Sequence, residues 1–232
     1  MEGLRERLRS VPGVHAGYRT VRVAAFDLRN RARYGAGAPR FAELVWIDPS
    51  TCSRRLDEAV GFRASDSGRV EDGAWPTEKL LPVMDSPRMQ ACVARWVDGL
   101  PWEETGYIER MEQHIRRKGS QDGCRTRQEI LDRCRRLDAA FEQIRREGRL
   151  RTRQELDPSA FREQGGIMVS VGPGGELVRC SNGYHRFAMA RILGLPRIPA
   201  QIGVVHRSAI PLMARLRDWV APDDGDADAA KA

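Results

Sequence analysis

The chain lacks the residue patterns of several common classes of protein. Its five cysteines include no CxxC pair, and with four histidines in total the sequence has no zinc-ligand spacing. We therefore expect reduced, structural thiols. No run of apolar residues approaches the roughly 18 needed to span a membrane, and residues 1–7 lack the apolar core of a signal peptide. A cytoplasmic protein without a membrane span is predicted.

Lysine is scarce as well, so arginine supplies nearly all of the positive charge. The formal net charge is +7, although residues 221–232 are acidic and the remainder of the chain is correspondingly more basic. A basic body attracts polyanions such as nucleotides, nucleic acids and anionic lipids. An arginine bias with abundant alanine and glycine is also typical of a GC-rich genome, so composition alone does not establish a DNA-binding function.

Three regions are predicted along the chain. Residues 1–40 form a basic N-terminal arm with a short first helix and a second, amphipathic helix. Residues 41–220 form one α/β (α+β) domain with a small mixed sheet, and residues 221–232 form a disordered acidic tail. The narrow apolar stripe of the second helix comprises Val21, Ala24, Ala25, Leu28 and Ala32.

The sequence patterns predict that the domain consists of strands before and after a long helical insertion. In chain order, the patterns predict a strand over 41–49, a helical insertion over about 86–160, a hairpin over 167–180, a helix over 184–193, a strand over 198–205 and a closing helix over 208–220. Within the insertion, Ser86-Pro87 and the capping box from Thr126 to Glu129 mark helix starts. Gly119 and Gly148 fit helix ends.

The segment from Cys180 to Arg186 carries the clearest functional pattern, a strand that enters a helix through a glycine turn. The first amides of such a helix have no internal partner and the helix dipole adds positive charge, so anions bind there. Gly183 lets the backbone approach a ligand, and Arg186 offers a planar fork for phosphate oxygens. His185 can donate a hydrogen bond or shuttle a proton. Asn182 can cap the helix or contact a ligand; the alternative is an ordinary cap followed by surface residues.

These residues resemble the ParB/sulfiredoxin superfamily. The resemblance rests on residues 176–187 with the turn from Asn182 to Arg186, on Leu193-Gly194 at the helix end and on Ile198-Pro199 at the next strand; Ile47-Asp48-Pro49 is similar to the opening strand. It implies a ParB/sulfiredoxin-like fold that binds ATP, ADP or CTP with Mg²⁺, and phosphotransferase or NTPase activity. It places the nucleotide phosphates at Gly183, His185 and Arg186. The predicted nucleotide-binding residues are Asn182, Gly183, Tyr184 and Arg186 of this turn, together with Arg69.

The departures from the family narrow this expectation. Sulfiredoxins carry a catalytic cysteine where this chain has Tyr184, which argues against reduction of a sulfinic acid. The turn is most similar to that of the free serine kinases, although Asn182 replaces their acidic residue.

A phosphotransferase also needs a carboxylate for the hydroxyl proton or the metal. Glu71 and Asp72, in a glycine-flanked turn beside Arg69, are the first candidates, and Glu103 with Glu104 comes second. Together with His185, Glu71 and Asp72 make up the predicted catalytic residues, and no metal ligands are predicted. The alternative for Glu71 and Asp72 is an ordinary solvated turn.

A second function stays open from the sequence, a non-catalytic DNA-binding or regulatory module. Residues 110–155 hold fourteen basic against eight acidic residues, and such a helical stretch can contact a phosphate backbone. The sequence does not decide which nucleotide is bound, what accepts a phosphate, or the oligomeric state.

Overall fold

The structure, a computed structural model, describes residues 12–57 and 62–218, with side chains described from residue 21 onward. The short helix predicted before residue 12 and the acidic tail over 221–232 lie outside the described residues. The helices of the described part are α1 Pro12–Tyr34, α2 Pro87–Trp96, α3 Tyr107–Lys118, α4 Arg127–Glu147, α5 Arg153–Leu156, α6 Tyr184–Ile192 and α7 Met213–Arg217.

Seven strands form one mixed sheet, which confirms the predicted α/β class. The strands are β1 Leu44–Ile47, β2 Arg54–Leu56, β3 Val70–Glu71, β4 Leu80–Pro82, β5 Met168–Val171, β6 Leu177–Cys180 and β7 Ile198–His206. Their order across the sheet is β1-β7-β5-β6-β2-β4, and β3 pairs with the end of β7. The two-residue strand β3 lies in the stretch that the sequence presents as turn-rich.

The register of the central strands places the predicted turn at one end of the sheet. Strands β5 and β6 form the predicted antiparallel hairpin, with Met168 opposite Cys180. Strand β7 runs parallel to β5 and brings Gln201 beside the same Met168. The connection from β6 to α6 therefore lies at the Met168 end of the sheet, and the Val171–Leu177 turn of the hairpin lies at the other end.

Strand β7 is the centre of the core. Every residue from Ile198 to Val205 is buried, because side chains pack on both faces of the sheet. One face is covered by the helices and forms the larger apolar cluster. The other face forms a smaller cluster that comprises Leu56, Trp75, Met168, Val178, Cys180 and Val204.

The predicted helical insertion shares the core of the sheet. Met89 and Cys92 of α2, Ile108 of α3 and Ile130 of α4 are buried in the same cluster as β5 and β7. The capping box is present as predicted: the Thr126 hydroxyl accepts from the Glu129 amide at 3.2 Å, and the Glu129 carboxylate accepts from the Thr126 amide at 3.0 Å. The insertion therefore packs as part of the domain.

Helix α1 packs on the domain through a face other than its apolar stripe. The Asn30 amide donates to the Pro39 carbonyl at 2.9 Å and to the Gly68 carbonyl at 2.8 Å. On the opposite side, Val21 is 68% exposed and Leu28 is 70% exposed. The stripe that the sequence singled out thus faces away from the core, because polar anchors position this helix.

The closing helix is shorter and less regular than predicted. A 3-10 segment over Arg207–Leu212, with Pro211 inside it, precedes α7, which ends at Arg217. Proline lacks the amide that an α-helical hydrogen bond needs, so the α-helical part begins only at Met213. None of the helices in the described residues combines the length and the apolar character needed to cross a bilayer.

The capping box of α4 provides a test of this packing. We expect Thr126→Ala to lower the free energy of unfolding by about 1 kcal/mol, because it leaves a helix-terminal amide without its acceptor. Urea unfolding followed by circular dichroism measures the change. The control is Thr126→Ser, which keeps the hydroxyl, and an equal loss in that variant would contradict the capping role.

Candidate functional site

Gly183 is the residue at which the chain turns from β6 into α6. It occupies the N-cap position of α6 with φ of 77°, a conformation that glycine adopts at little cost. A Cβ atom there would lie 2.5 Å from the Cα atom of Ile167. The helix start is therefore packed directly against the backbone that leads into β5.

The predicted cap at Asn182 is not formed. Gly183, which has no side chain, occupies the N-cap position, and Asn182 is an exposed residue of the preceding turn. The Asn182 carbonyl contributes instead, since it accepts a hydrogen bond from Arg179 at 2.8 Å. The reason is that the helix begins at Tyr184, so the N-cap position falls on Gly183, which has no side chain to accept from the first amides.

A buried arginine beneath this turn organises it. Arg179 of β6 is 2% exposed, and its Nη2 atom donates at 2.8 Å to the carbonyls of Ser181 and Asn182. Its guanidinium carbon lies 3.3 Å from the centre of the Tyr184 ring. Burial lowers the pKa of Arg179, although the group keeps its charge in proteins. Arg88 lies over the same ring at 5.4 Å.

Arg88 also belongs to a basic cleft between the β2–β4 edge of the sheet and helices α2 and α3. This arginine cleft has a volume of about 310 Å³. Its lining comprises Arg55, Asp57, Leu81, Ser86, Pro87, Arg88, Tyr107, Arg110, Met111, His114 and Gln121. Three arginines and one carboxylate among these residues make the cleft positive. The Arg88–Tyr184 contact connects it to the glycine turn.

The close approach of the cleft arginines costs free energy. Burial lowers the pKa of Arg110, and the nearby positive charge of Arg88 lowers it further. The Nε atom of Arg55 is buried and has no hydrogen-bond partner among the described residues. Like charges in a partly dehydrated place are destabilising unless an anion joins them.

The start of α2 forms part of the same wall. Ser86 and Pro87 line the cleft, and the Ser86 side chain makes no capping hydrogen bond to this ten-residue helix. Helix N-termini carry unsatisfied amides and partial positive charge. The arginine side chains and the helix terminus therefore favour the same kind of ligand, an anion.

His185 lies in the core, with access to neither the solvent nor the cleft. It is 8% exposed, and its ring meets the Tyr107 ring edge-on with centres 5.5 Å apart. Its Nε2 atom has no hydrogen-bond partner among the described residues. Burial, with the positive charge of Arg133 second, lowers the pKa of His185 to about 3. The imidazole is neutral at pH 7, and the structure does not place it where it could transfer a proton to a ligand.

Arg186 points away from the arginine cleft. Its Nη2 atom donates to the Arg151 carbonyl, and burial is the main cause that lowers the pKa of Arg186. Glu163 is 1% exposed, and burial raises the pKa of its carboxyl group. The opposite charges of Glu163 and Arg186 act on each other. Arg186 thus connects α6 to the 151–163 segment and is not among the residues that line the arginine cleft; its phosphate contact stays a prediction.

Glu71, Asp72 and Arg69 lie at the other end of the sheet from the turn. Glu71 of β3 pairs with His206 of β7. Gln201, which is also in β7, lies at the end of the sheet near the turn. Five residues of extended chain separate these ends by roughly 16 Å. The structure therefore does not bring the predicted carboxylates together with Gly183.

Each of these three residues has a local contact of its own. Asp72 accepts from Arg207 at 2.8 Å, and Arg69 lies 3.7 Å from Glu71. Glu71 and Asp72 therefore lie beside the C-terminal end of β7.

The described residues provide no ready metal site. Across 12–57 and 62–218, no group of three or more His, Cys, Asp or Glu side chains could hold a metal ion. All five cysteines are free and buried, and burial raises the pKa of Cys52, Cys92 and Cys134 to about 12. These thiols stay protonated at neutral pH and are unsuited to act as nucleophiles or metal ligands.

Comparison with known proteins adds no identification. No protein-family model matches the chain. No curated protein and no solved structure matches it significantly.

The cleft residues were missed by sequence reasoning because no local motif connects them. Arg55, Arg88 and Arg110 come from three elements that only the folded chain brings together. One signal was available: Arg88 follows Ser86-Pro87 at a predicted helix start, where anions are favoured.

The turn geometry predicts that Gly183→Ala is far more damaging than Gly194→Ala. Both glycines have positive φ, but a Cβ at Gly194 meets no atom within 4 Å. We expect Gly194→Ala to lose about 1 kcal/mol and Gly183→Ala about 3 kcal/mol or more, because only Gly183 adds a backbone clash to the φ strain. Chemical denaturation measures both, and similar losses would contradict the close approach to Ile167.

The burial of His185 predicts a specific pH dependence of stability. Its pKa of about 3 in the folded protein is below the ordinary histidine value of 6.5, so the unfolded chain binds the proton first. Its contribution is full above pH 6.5 and is lost as the pH falls, by about 1.4 kcal/mol per pH unit. We expect the unfolding free energy of His185→Phe to fall less steeply between about pH 6 and 4. Parallel curves for the two proteins would show that His185 titrates normally.

Proposed function

We propose that this protein binds the phosphate groups of a nucleotide in the arginine cleft. The observation that carries the proposal is the convergence of Arg55, Arg88 and Arg110, from three separate elements, in a cleft of about 310 Å³. Guanidinium groups form paired hydrogen bonds with phosphate oxygens. A bound polyphosphate would offset the mutual repulsion of Arg88 and Arg110.

The volume and the lining favour a ligand larger than inorganic phosphate. Ligand pockets begin at about 300 Å³, which is close to the volume of this cleft. The apolar side chains of Leu81 and Met111 and the rings of Tyr107 and His114 line it beside the arginines. A nucleotide has both parts, a charged phosphate chain and a flat base that packs against such side chains.

The resemblance to the ParB/sulfiredoxin superfamily supports the same ligand class. The resemblance implies a nucleotide phosphate near Gly183. Tyr184, the next residue of that turn, contacts Arg88, which lines the cleft. Our proposal assigns the arginine contacts to Arg88 and Arg110 in place of Arg186. Phosphoryl transfer or NTP hydrolysis of the bound nucleotide is what the resemblance implies, and we assign no catalytic residue to it.

The cleft offers one carboxylate to a metal ion, since Asp57 is the one carboxylate among its described lining residues. Mg²⁺ usually takes one or two carboxylates together with substrate phosphates, so Asp57 would hold Mg²⁺ only together with a bound nucleotide. We assign no step of the function to Mg²⁺. A metal bound to the nucleotide itself would be part of the ligand.

The alternative, DNA binding by the 110–155 segment, has less support. The arginines of α4 are largely neutralised by ion pairs: Arg127 with Glu112, Arg133 with Asp122, Arg135 with Asp132 and Arg145 with Glu142. A phosphate backbone is bound by charge that it can neutralise itself. We therefore do not place a nucleic acid on α4.

Replacement of Arg110 separates binding from stability. We expect Arg110→Gln to weaken the best nucleotide ligand at least tenfold, since hydrogen bonds to charged groups contribute about 1.5–3 kcal/mol. The same change should leave the free protein as stable as the wild type or more stable, because it removes a dehydrated charge beside Arg88. Calorimetry with ATP, ADP, CTP and GTP measures binding, and thermal unfolding measures stability.

The matched control is Arg135→Gln, which removes the same charge from an exposed, ion-paired arginine. It should leave nucleotide binding unchanged. Absence of binding by all four nucleotides, or equal weakening in the two variants, would overturn the proposal. If Arg186→Ala weakens nucleotide binding and Arg110→Gln does not, the phosphate is bound by Arg186, as predicted from the sequence.

A further inference from the structure

A second basic hollow lies between α1 and β3, apart from the arginine cleft. It has a volume of about 240 Å³. Its lining comprises Phe26, Arg29, Asn30, Arg33, Tyr34, Arg69 and Val70. No acidic residue is among these lining residues, although Arg69 pairs with Glu71 beside the hollow at 3.7 Å; Arg29 and Arg33 supply its positive charge.

Each of these arginines lies over an aromatic ring. Arg29 is 5.4 Å from the centre of the Phe26 ring, and Arg33 is 5.2 Å from that of Tyr34. Arg69 is 5.4 Å from the centre of the Phe62 ring. Aromatic rings hold guanidinium planes in place without neutralising their charge. The hollow therefore presents flat, positively charged surfaces at its rim.

The positive charge continues along α1. Arg22, Phe26, Arg29 and Arg33 follow one another at steps of four, three and four residues, which places them on one side of the helix. From Arg22 to Arg33 the helix rises by roughly 16 Å at 1.5 Å per residue. This length exceeds the hollow itself and suits an extended anion with repeated charges.

The hollow is held in shape by hydrogen bonds beneath it. Asn30 anchors α1 to the Gly68 carbonyl at 2.8 Å, and the Gly68 amide donates to the Gly203 carbonyl of β7 at 2.8 Å. A Cβ atom at Gly68 would lie 2.7 Å from the Arg40 carbonyl carbon. A rigid floor lowers the ordering cost of binding.

We infer that this hollow and the arginine stripe of α1 bind single-stranded nucleic acid. Proteins that bind single strands combine a positive groove for the backbone with flat groups on which bases stack. Here Arg29 and Arg33 contact the backbone, while the Tyr34 ring receives a base. The site is independent of the nucleotide proposed for the arginine cleft.

The shape of the site favours a single strand over two other anions. A duplex keeps its bases stacked and presents a backbone with nothing to fill a hollow of about 240 Å³. An anionic membrane is the other competitor, because α1 also exposes Val21 and Leu28. These two residues lie on a neighbouring side of the helix, and the hollow does not use them.

The test is fluorescence anisotropy of a labelled oligothymidylate of about 12 nucleotides, titrated with the whole chain. We expect Arg29→Gln/Arg33→Gln to weaken binding at least tenfold. It should also flatten the dependence of log K on log salt by about 1.4, since each lost phosphate contact to a single strand removes about 0.7. Tyr34→Leu should weaken binding by about fivefold or more with an unchanged salt slope, because stacking carries no charge.

The matched control is Arg135→Gln/Arg145→Gln, which removes two exposed arginines that are ion-paired on α4. It should leave oligonucleotide affinity and the salt slope unchanged, and thermal unfolding of every variant reports folding. Equal effects of the two double variants would overturn the inference. So would duplex binding as tight as single-strand binding, binding of anionic vesicles alone, or loss of oligonucleotide binding in Arg110→Gln.

Discussion

The stack of Arg179 on Tyr184 is the contact on which the arrangement of the cleft depends. The arginine is buried, and it donates to two carbonyls of the turn while its guanidinium lies on the ring at 3.3 Å. A buried charge without partners would be costly, so the turn must keep its carbonyls and the ring in place. Arg88 contacts the other partner of this stack, Tyr184. The conformation of the turn and the position of one cleft arginine are thus coupled.

This coupling gives the glycine turn a different use from the one that its sequence indicates. The pattern predicts a phosphate at the start of α6, with His185 and Arg186 beside it. In the fold, His185 is buried against Tyr107, and the partly buried Arg186 donates to the Arg151 carbonyl. The arginines that line the cleft come instead from β2, α2 and α3.

Features that neighbouring residues decide were predicted from the sequence, whereas features that depend on residues far apart in the chain were missed. The capping box at Thr126, the helix end at Gly148 and the β5–β6 hairpin were predicted, because a few neighbouring residues decide each of them. The α/β class followed from the succession of such elements. The distance of Glu71 and Asp72 from the glycine turn was not predicted, since a two-residue strand paired to β7 decides their position and no local pattern reveals that pairing.

Composition says how much positive charge the chain has, and the fold decides where that charge is available. Arginines such as Arg135 and Arg145 on α4 have carboxylate partners one helical turn away, which lowers their attraction for other anions. Arg29 and Arg33 on α1 rest on aromatic rings instead, and Arg110 has Arg88 as a neighbour. The arginine cleft and the hollow beside α1, where rings or other arginines lie next to an arginine, are the two places to which we assign ligands.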